Sequence, residues 1–472
     1  MPTSLQSIVK ANDIRGAVPQ MWDAQTARAL GAAFADVIAR PDGAPQIAIG
    51  QDMRTSSPEL ARAFGEGAAA RGIDVVHIGQ CSTDGLYHAS GMLDLPAAMF
   101  TASHNPAGDN GIKLCRSSAR PVGRESGLPQ VAARAQQYLD DAIPIGAPGA
   151  ISTRETLADY ASYLRDLVDL RGQRALKVVI DAGNGMAGLT VPAVLGEAAG
   201  LPDLGLHLVP LYFDLDGSFP HHEPNPLVPE NLRDLQAAVV AEQADIGLAF
   251  DGDADRCFVV DELGSPVSPS AVAVLVGLAQ VERERAARRN PTVVHNLITS
   301  RAVPDLLTAA GATTIATPVG HAVIKTAMAT HDAVFGAEHS AHYYFRDFWF
   351  ADTGMLAAML VLQALRSSSV TMSDLVQMYS PYQASGEINS AVPDQQAALA
   401  RVRGAYAGDI ASGTVRLDER DGLTVDHWHA YPRWWLNVRG SNTEPLLRLN
   451  VEAEDEDIMV KVRDAVLALL RD

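Results

Sequence analysis

Cysteine is scarce. Cys81, Cys115 and Cys257 lie far apart, without the close pairs of a zinc site or a disulfide framework, so they read as buried thiols in a reducing compartment. Positive charge is also short, with 37 Lys plus Arg against 56 Asp plus Glu and a net charge of −19. A balance of that sign gives no electrostatic reason to bind nucleic acid or an anionic membrane. A small anionic substrate would instead need a locally cationic pocket. Apolar runs long enough to span a bilayer are missing, since 271–279 and 355–362 have the length of core helices. Residues 1–11 hold no basic segment leading into an apolar one, so no secretory leader is expected. The expectation is a soluble cytoplasmic protein with no membrane partner.

What is present is alternation. A chain of 472 residues exceeds one core, and its 47% hydrophobic and 20% charged residues are ordinary for a globular protein. Strand signals at 46–50 and 74–79 flank helical patterns, and the Pro/Gly-rich stretch 143–150 reads as a linker. A second unit restarts at strand 177–181 and runs to strand 245–250. A third follows Gly264-Ser265-Pro266, with strands 292–297, 313–318 and 333–336 and a long helix from Thr353. Trp434 to Val438 and the alternating Leu447, Leu449 and Val451 then read as antiparallel strands before a terminal helix. The predicted fold class is α/β: three tandem α/β domains with mixed, mostly parallel sheets, at 1–150, 151–262 and 263–370, then a smaller α+β domain at 371–472, all around a central cleft. Identity between the units is too weak for a sequence repeat.

Four polar stretches, each after a strand and one per unit, carry the chemistry. Thr101-Ala102-Ser103-His104-Asn105-Pro106 follows the apolar run 97–100, and Asn110-Gly111 reads as a tight turn that returns Lys113 alongside Ser103. A serine hydroxyl facing an ammonium suits phosphate chemistry. A Ser/His hydrolase is the rival, but neighbours in an extended segment point to opposite faces, and no Gly-x-Ser-x-Gly elbow is present. A plain surface turn fits these residues equally well. In Asp251-Gly252-Asp253-Ala254-Asp255-Arg256 the alternate carboxylates converge on one hard cation, which suits Mg²⁺. An EF-hand is disfavoured because Arg256 stands where its sharp turn needs glycine and strands flank the loop. Glu338, Ser340 and His342 alternate in a loop suited to sugar hydroxyls, or to an ordinary satisfied turn. Arg439-Gly440-Ser441-Asn442-Thr443 reads either as an oxyanion cradle or as a common turn. Ligands of α/β sheets gather at strand carboxyl ends, which favours one shared cleft.

Together with Lys10-Ala11-Asn12-Asp13-Ile14-Arg15-Gly16, these motifs resemble, in order and along the whole chain, the α-D-phosphohexomutases, most closely the bacterial phosphomannomutase/phosphoglucomutases. The resemblance implies reversible phosphoryl transfer between the 1- and 6-positions of glucose or mannose phosphates, with sugar phosphates as partners and a hexose 1,6-bisphosphate as intermediate and activator. It implies Ser103 as phosphoryl carrier, and Ser103, Asp251, Asp253 and Asp255 around Mg²⁺. Arg15, Lys113 and His321 would lie at the transferring group. His104, Arg256, Glu338, Ser340 and His342 would face the substrate, and Arg439, Ser441, Asn442 and Thr443 would grip its distal phosphate. Asn12, Ile298, Ala337 and Ala341 depart from the pattern and touch substrate contacts rather than phosphoryl chemistry. A monomer is expected. An N-acetylglucosamine phosphate mutase and a catalytically silent metal-binding scaffold are the alternatives.

Overall fold

Runs of buried aliphatic residues set against amphipathic helices give three mixed sheets in succession in the computed structural model, which describes residues 5–144, 146–170, 174–440 and 446–471. In the first, Ala97–Phe100, Gln46–Gln51, Asp74–Gln80 and Ile151–Thr153 run parallel, while Asp109–Arg116 and then Ile14–Ala17 continue the sheet antiparallel. The second has Ile246–Phe250, Leu176–Asp181 and Leu206–Leu211 parallel, and Cys257–Asp261 antiparallel beside the first of these. The third repeats the plan with Thr313–Thr317, Thr292–Asn296 and Phe335–Ala337 parallel and Tyr343–Phe345 returning antiparallel. The last sheet is wholly antiparallel, with Trp434–Gly440 against Leu446–Ala453 at its centre, and helices Gln395–Ala405 and Glu456–Arg471 belong to the same unit. The three α/β units and the small final domain are therefore as expected, with parallel strands at the middle of each of the first three sheets. Stretch 143–150, expected as a linker, leads straight into Ile151–Thr153, which pairs with Asp74–Gln80 in the first sheet.

One topological position recurs. A parallel strand ends, a polar loop follows, and an antiparallel strand returns: 101–108 in the first unit, 251–256 in the second, 338–342 in the third. A ladder must turn at that point, so the loop backbone is freed from the sheet and its side chains can face a common space. Asn110-Gly111 is not the turn. Both residues lie inside strand Asp109–Arg116, with Gly111 opposite Arg15. Asn110 Nδ2 donates to the Ser56 and Ser57 hydroxyls at 2.8 and 2.9 Å, and a Cβ on Gly111 would stand 2.3 Å from the Ile14 carbonyl oxygen. The pair is chosen for close strand approach rather than for a hairpin.

The cores explain how the units are joined. One apolar cluster runs without interruption from the first sheet through the second into the third, while the final domain has a separate core built on residues such as Leu436, Leu449 and Val466. At the meeting point of the first three units Asp84 is fully buried, accepting hydrogen bonds from Ser82, from Tyr160 Oη at 2.7 Å and from Thr353 Oγ1 at 2.6 Å. Burial pushes its carboxyl up to about 6, against the pull of those three hydroxyls. No single helix among the described residues is long and apolar enough to cross a membrane.

The raised value fixes a sign. A carboxyl that keeps its proton longer in the folded chain favours folding at low pH, and that contribution is lost as pH rises through about 6. Relative to Asp84→Asn, the wild type should lose on the order of 1 kcal/mol of stability between about pH 5 and about pH 7.5. Urea unfolding of both proteins across this range measures the difference; parallel curves would show that Asp84 keeps the same charge folded and unfolded.

Candidate active site

The loop after Ala97–Phe100 turns abruptly because Ser103 adopts the left-handed region, with φ 49°. Its N–H donates to Thr101 Oγ1 at 2.8 Å, and its side chain is only 4% exposed. This conformation corrects the expectation that Ser103 and His104 face apart: His104 Nδ1 comes within 3.2 Å of Ser103 Oγ because the segment is not extended. The imidazole is still no base for the serine. Arg256 Nη2 donates to the same nitrogen at 2.6 Å, and burial, with the charges of Arg256 and Arg15, holds the ring's pKa well below its usual value. Ser103 Oγ instead donates to Asp251 Oδ2 at 2.7 Å and accepts from Arg256 Nη2 at 3.2 Å.

Loop 251–256 brings three carboxylates together at the end of Ile246–Phe250. Asp251, Asp253 and Asp255 are fully buried, and each offers an oxygen within 4.8 Å of the others. Arg256 binds Asp251 at 2.6 and 2.9 Å, and Lys113 Nζ sits 2.6 Å from Asp253 and 2.5 Å from Asp255. Lys113 thus rests on the acid cluster rather than beside Ser103, although both line one cavity of about 130 Å³. Burial pushes Asp251 up to about 7 despite Arg256. For Asp253 burial acts in the same direction, but Lys113 and the hydroxyl of Thr83, 2.6 Å away, pull it well below the carboxylate range. Asp253 Oδ1 and Asp255 Oδ1 are buried with no hydrogen-bond partner among the described residues. Buried oxygens are seldom left so, and two of them in a cluster of hard donors next to a serine oxygen fit a divalent cation.

Other predicted residues close the cavity. Arg15 donates to Asn105 Oδ1 at 2.9 Å and pairs with Asp13 at 2.6 Å, on the strand that flanks Asp109–Arg116. His321, at the start of helix His321–His331, has a buried Nδ1 without a hydrogen-bond partner among the described residues, and burial together with Lys325 lowers its pKa to about 4. His342 forms an antiparallel bridge with Arg256, takes Ser340 Oγ at 2.8 Å, and is held below its usual pKa by burial. Glu338 is placed differently from Ser340 and His342. Its oxygens accept from Gly320 N at 2.9 Å, Asn296 Nδ2 at 3.3 Å and Tyr344 Oη at 2.6 Å, so the carboxylate braces its own unit.

Arg439 stands apart from this cavity. Its Nη2 pairs with Glu387 at 3.1 Å, while its buried Nε has no hydrogen-bond partner among the described residues. Ser441, Asn442 and Thr443 lie outside the described residues. Ile298 lines a second cavity of about 100 Å³, with His339, Tyr382 and Trp435, where the third unit meets the final domain.

Sequence reasoning missed several neighbours. Thr83 ties the first unit to Asp253, and Lys325, 3% exposed, pairs with Asp352 at 2.5 Å with its ammonium 3.9 Å from the Tyr87 ring centre. A lysine inside an otherwise apolar helical stretch, followed by an acid just before a helix cap, was the available signal.

The chain matches four consecutive family models, described as phosphoglucomutase/phosphomannomutase α/β/α domains I, II and III and C-terminal domain, over residues 6–139, 158–264, 269–382 and 387–469. It is 38% identical over 457 residues to a protein of Xanthomonas campestris pv. campestris named phosphohexose mutases, covering 96% of each chain. A phosphomannomutase of Escherichia coli is 34% identical over 468 residues, covering 98% of each. A crystal structure of a phosphoglucomutase/phosphomannomutase family protein from Burkholderia thailandensis superposes with a TM-score of 0.84 at 28% identity, over 100% of this chain and 98% of that one.

Lys113 sets a positive charge on the Oδ2 atoms of the two carboxylates whose Oδ1 atoms a cation would take, so it opposes the ion by charge. Lys113→Gln should therefore raise the affinity for a divalent cation, on the order of tenfold. Isothermal titration of the purified wild type and variant with Mn²⁺ reads this directly; an unchanged or weaker affinity would mean that Lys113 and the ion do not compete.

Proposed function

Because the chain belongs to the phosphoglucomutase/phosphomannomutase family and is a hexose-phosphate mutase, we propose that Ser103 carries the phosphoryl group that moves between the 1- and 6-positions of the sugar. The observation behind this reading is the hydrogen bond from Ser103 Oγ to Asp251 inside a buried acid cluster. A serine oxygen placed there lies where a phosphoryl group and a cation can share charge.

In the proposed cycle phosphorylated Ser103 gives its phosphoryl to the free hydroxyl of a hexose phosphate. The sugar oxygen–phosphorus bond forms as the bond from phosphorus to Ser103 Oγ breaks. The sugar hydroxyl's proton passes to His321, which burial keeps neutral near pH 7 and whose Nδ1 has no partner among the described residues, while the departing Ser103 oxygen takes up a proton from solvent and releases it again when the second phosphoryl returns. Arg15 and Lys113 border the cavity and neutralise the moving group, while Arg256 holds Asp251 and the serine oxygen in fixed relation. Asp251, Asp253, Asp255 and the serine oxygen would hold Mg²⁺, which when bound would supply charge stabilisation to the phosphoryl oxygens. The 1,6-bisphosphate then turns over without leaving, and its other phosphoryl returns to Ser103.

Arg439 and its loop serve the distal phosphate in this reading. The final domain has its own core, which suits a part that closes on each end of the intermediate in turn. Glucose and mannose phosphates are both substrates, and the protein works as a monomer in the cytoplasm, where its three buried thiols stay unpaired.

Ser103→Ala should stay folded and lose at least about a thousandfold in turnover with glucose 1-phosphate and mannose 1-phosphate, each assayed with catalytic bisphosphate. Turnover near wild type would end the phosphoserine reading. Activity confined to N-acetylglucosamine phosphates would move the substrate to the amino sugar, and no activity on any hexose phosphate would favour a silent scaffold.

A further inference from the structure

Arg54 is 1% exposed, and both Nη groups of its guanidinium are directed at the main chain of the serine segment. Nη2 donates to the carbonyl oxygens of Ser103 at 2.9 Å and Asn105 at 2.6 Å, and Nη1 donates to those of Pro106 at 2.7 Å and Asp109 at 2.9 Å. Nε lies 3.3 Å from the buried carboxylate of Asp52, which also accepts from the Arg54 N–H at 3.0 Å. Four carbonyls, three from the serine loop and one from the first residue of the strand that follows it, thus take the Nη groups of a single planar cation, with a carboxylate beside its Nε as an ion pair. No other side chain has the donors to do this, since a lysine offers three from one point.

The second unit holds the same residue from the other side. The Phe219 ring centre lies 5.0 Å from the Arg54 guanidinium carbon. A Cβ on Gly217 would stand 2.6 Å from Arg54 Cα, so the two backbones are in direct contact. Arg54 therefore joins the loop that carries Ser103 to the unit that carries Asp251, Asp253 and Asp255.

From this geometry we infer that Arg54 is the positioning residue of the phosphoryl-transfer loop: it keeps Ser103 in its left-handed turn and directs the loop's carbonyl oxygens away from the cavity that receives a phosphate dianion. The inference rests on Ser103 being the phosphoryl carrier. Carbonyls that converge on one buried guanidinium cannot also face the reacting group, where their partial negative charge would repel it. Without the clamp the turn has local hydrogen bonds such as Asn105 N to the Ala102 oxygen, but nothing that fixes all four carbonyls together. Arg54 does not touch the substrate, so its effect falls on how accurately Ser103 is placed and not on how tightly sugar phosphate binds.

The test uses the full-length enzyme as Arg54→Lys, Arg54→Ala and Ser103→Ala, with turnover measured on glucose 1-phosphate plus bisphosphate and amide exchange followed by mass spectrometry. Arg54→Lys should lower kcat about a hundredfold while KM stays within about threefold, as expected when a reacting group is displaced by about an ångström. Amides of 101–109 should exchange roughly tenfold faster while those of 246–261 stay protected. Adding roughly 20 mM guanidinium ion to Arg54→Ala should recover about tenfold in kcat, a rescue that a merely destabilised protein would not show. If the alanine variant does not fold, the lysine variant carries the test. Turnover of Arg54→Lys within about threefold of wild type, with Ser103→Ala inactive, would overturn the role of Arg54 alone. Loss of turnover with loop exchange unchanged would overturn it too. An active Ser103→Ala would bring down the phosphoserine reading first.

Discussion

Three carboxylates buried within 4.8 Å of one another beside a serine hydroxyl are the constraint around which the first three units are arranged. Placing such charges out of water is costly unless each is paired or hydrogen-bonded. The chain answers with residues from several places: Lys113 and Thr83 from the first unit, and Arg256 from the acid loop itself. Two carboxylate oxygens remain without hydrogen-bond partners among the described residues, and that residue of unmet demand is what a cation would satisfy. The pairing network and the reactive serine are thus parts of one electrostatic balance, in which removing any member changes the charge felt by the rest.

The fold makes this balance possible by repeating one device. In each of the first three units a parallel strand ends in a polar loop before an antiparallel return, so a free backbone segment appears at the same place in each sheet. A continuous apolar core locks those units together, and Asp84 with its three hydroxyl partners sits at their junction. Serine, acid and imidazole loops are therefore held in fixed relation, as chemistry that depends on positioning requires. The final domain keeps a separate core and meets the third unit through polar contacts such as Glu452 with the Arg301 N–H at 2.7 Å.

Much of this was legible in the sequence, for local reasons. Strand and helix periods gave the order of units, and Asp251-x-Asp253-x-Asp255 after an apolar strand announced a cation site, because alternate carboxylates in a short loop have little else to do. Errors arose where tertiary contacts outweighed local preference. Asn110-Gly111 has the composition of a hairpin turn but is held in a strand by Ser56, Ser57 and the Ile14 carbonyl. The Ser103 backbone is left-handed, which no residue type at 103 reveals. Arg54 was invisible because its partners are main-chain oxygens some fifty positions away, and a backbone carbonyl leaves no mark on the sequence. The hydrogen bonds of Glu338 with Tyr344, Asn296 and Gly320 were equally hidden, because the sequence shows an acid in a polar loop and not the groups that brace it.

The central claim is that the group on Ser103 is the group that moves. Rapid-quench mixing of enzyme labelled with ³²P on Ser103 against unlabelled glucose 6-phosphate measures this step in a single turnover. The account predicts that label leaves the serine and appears in glucose 1,6-bisphosphate at a rate no slower than kcat. Label that stays on the protein, or departs more slowly than the enzyme turns over, would contradict it.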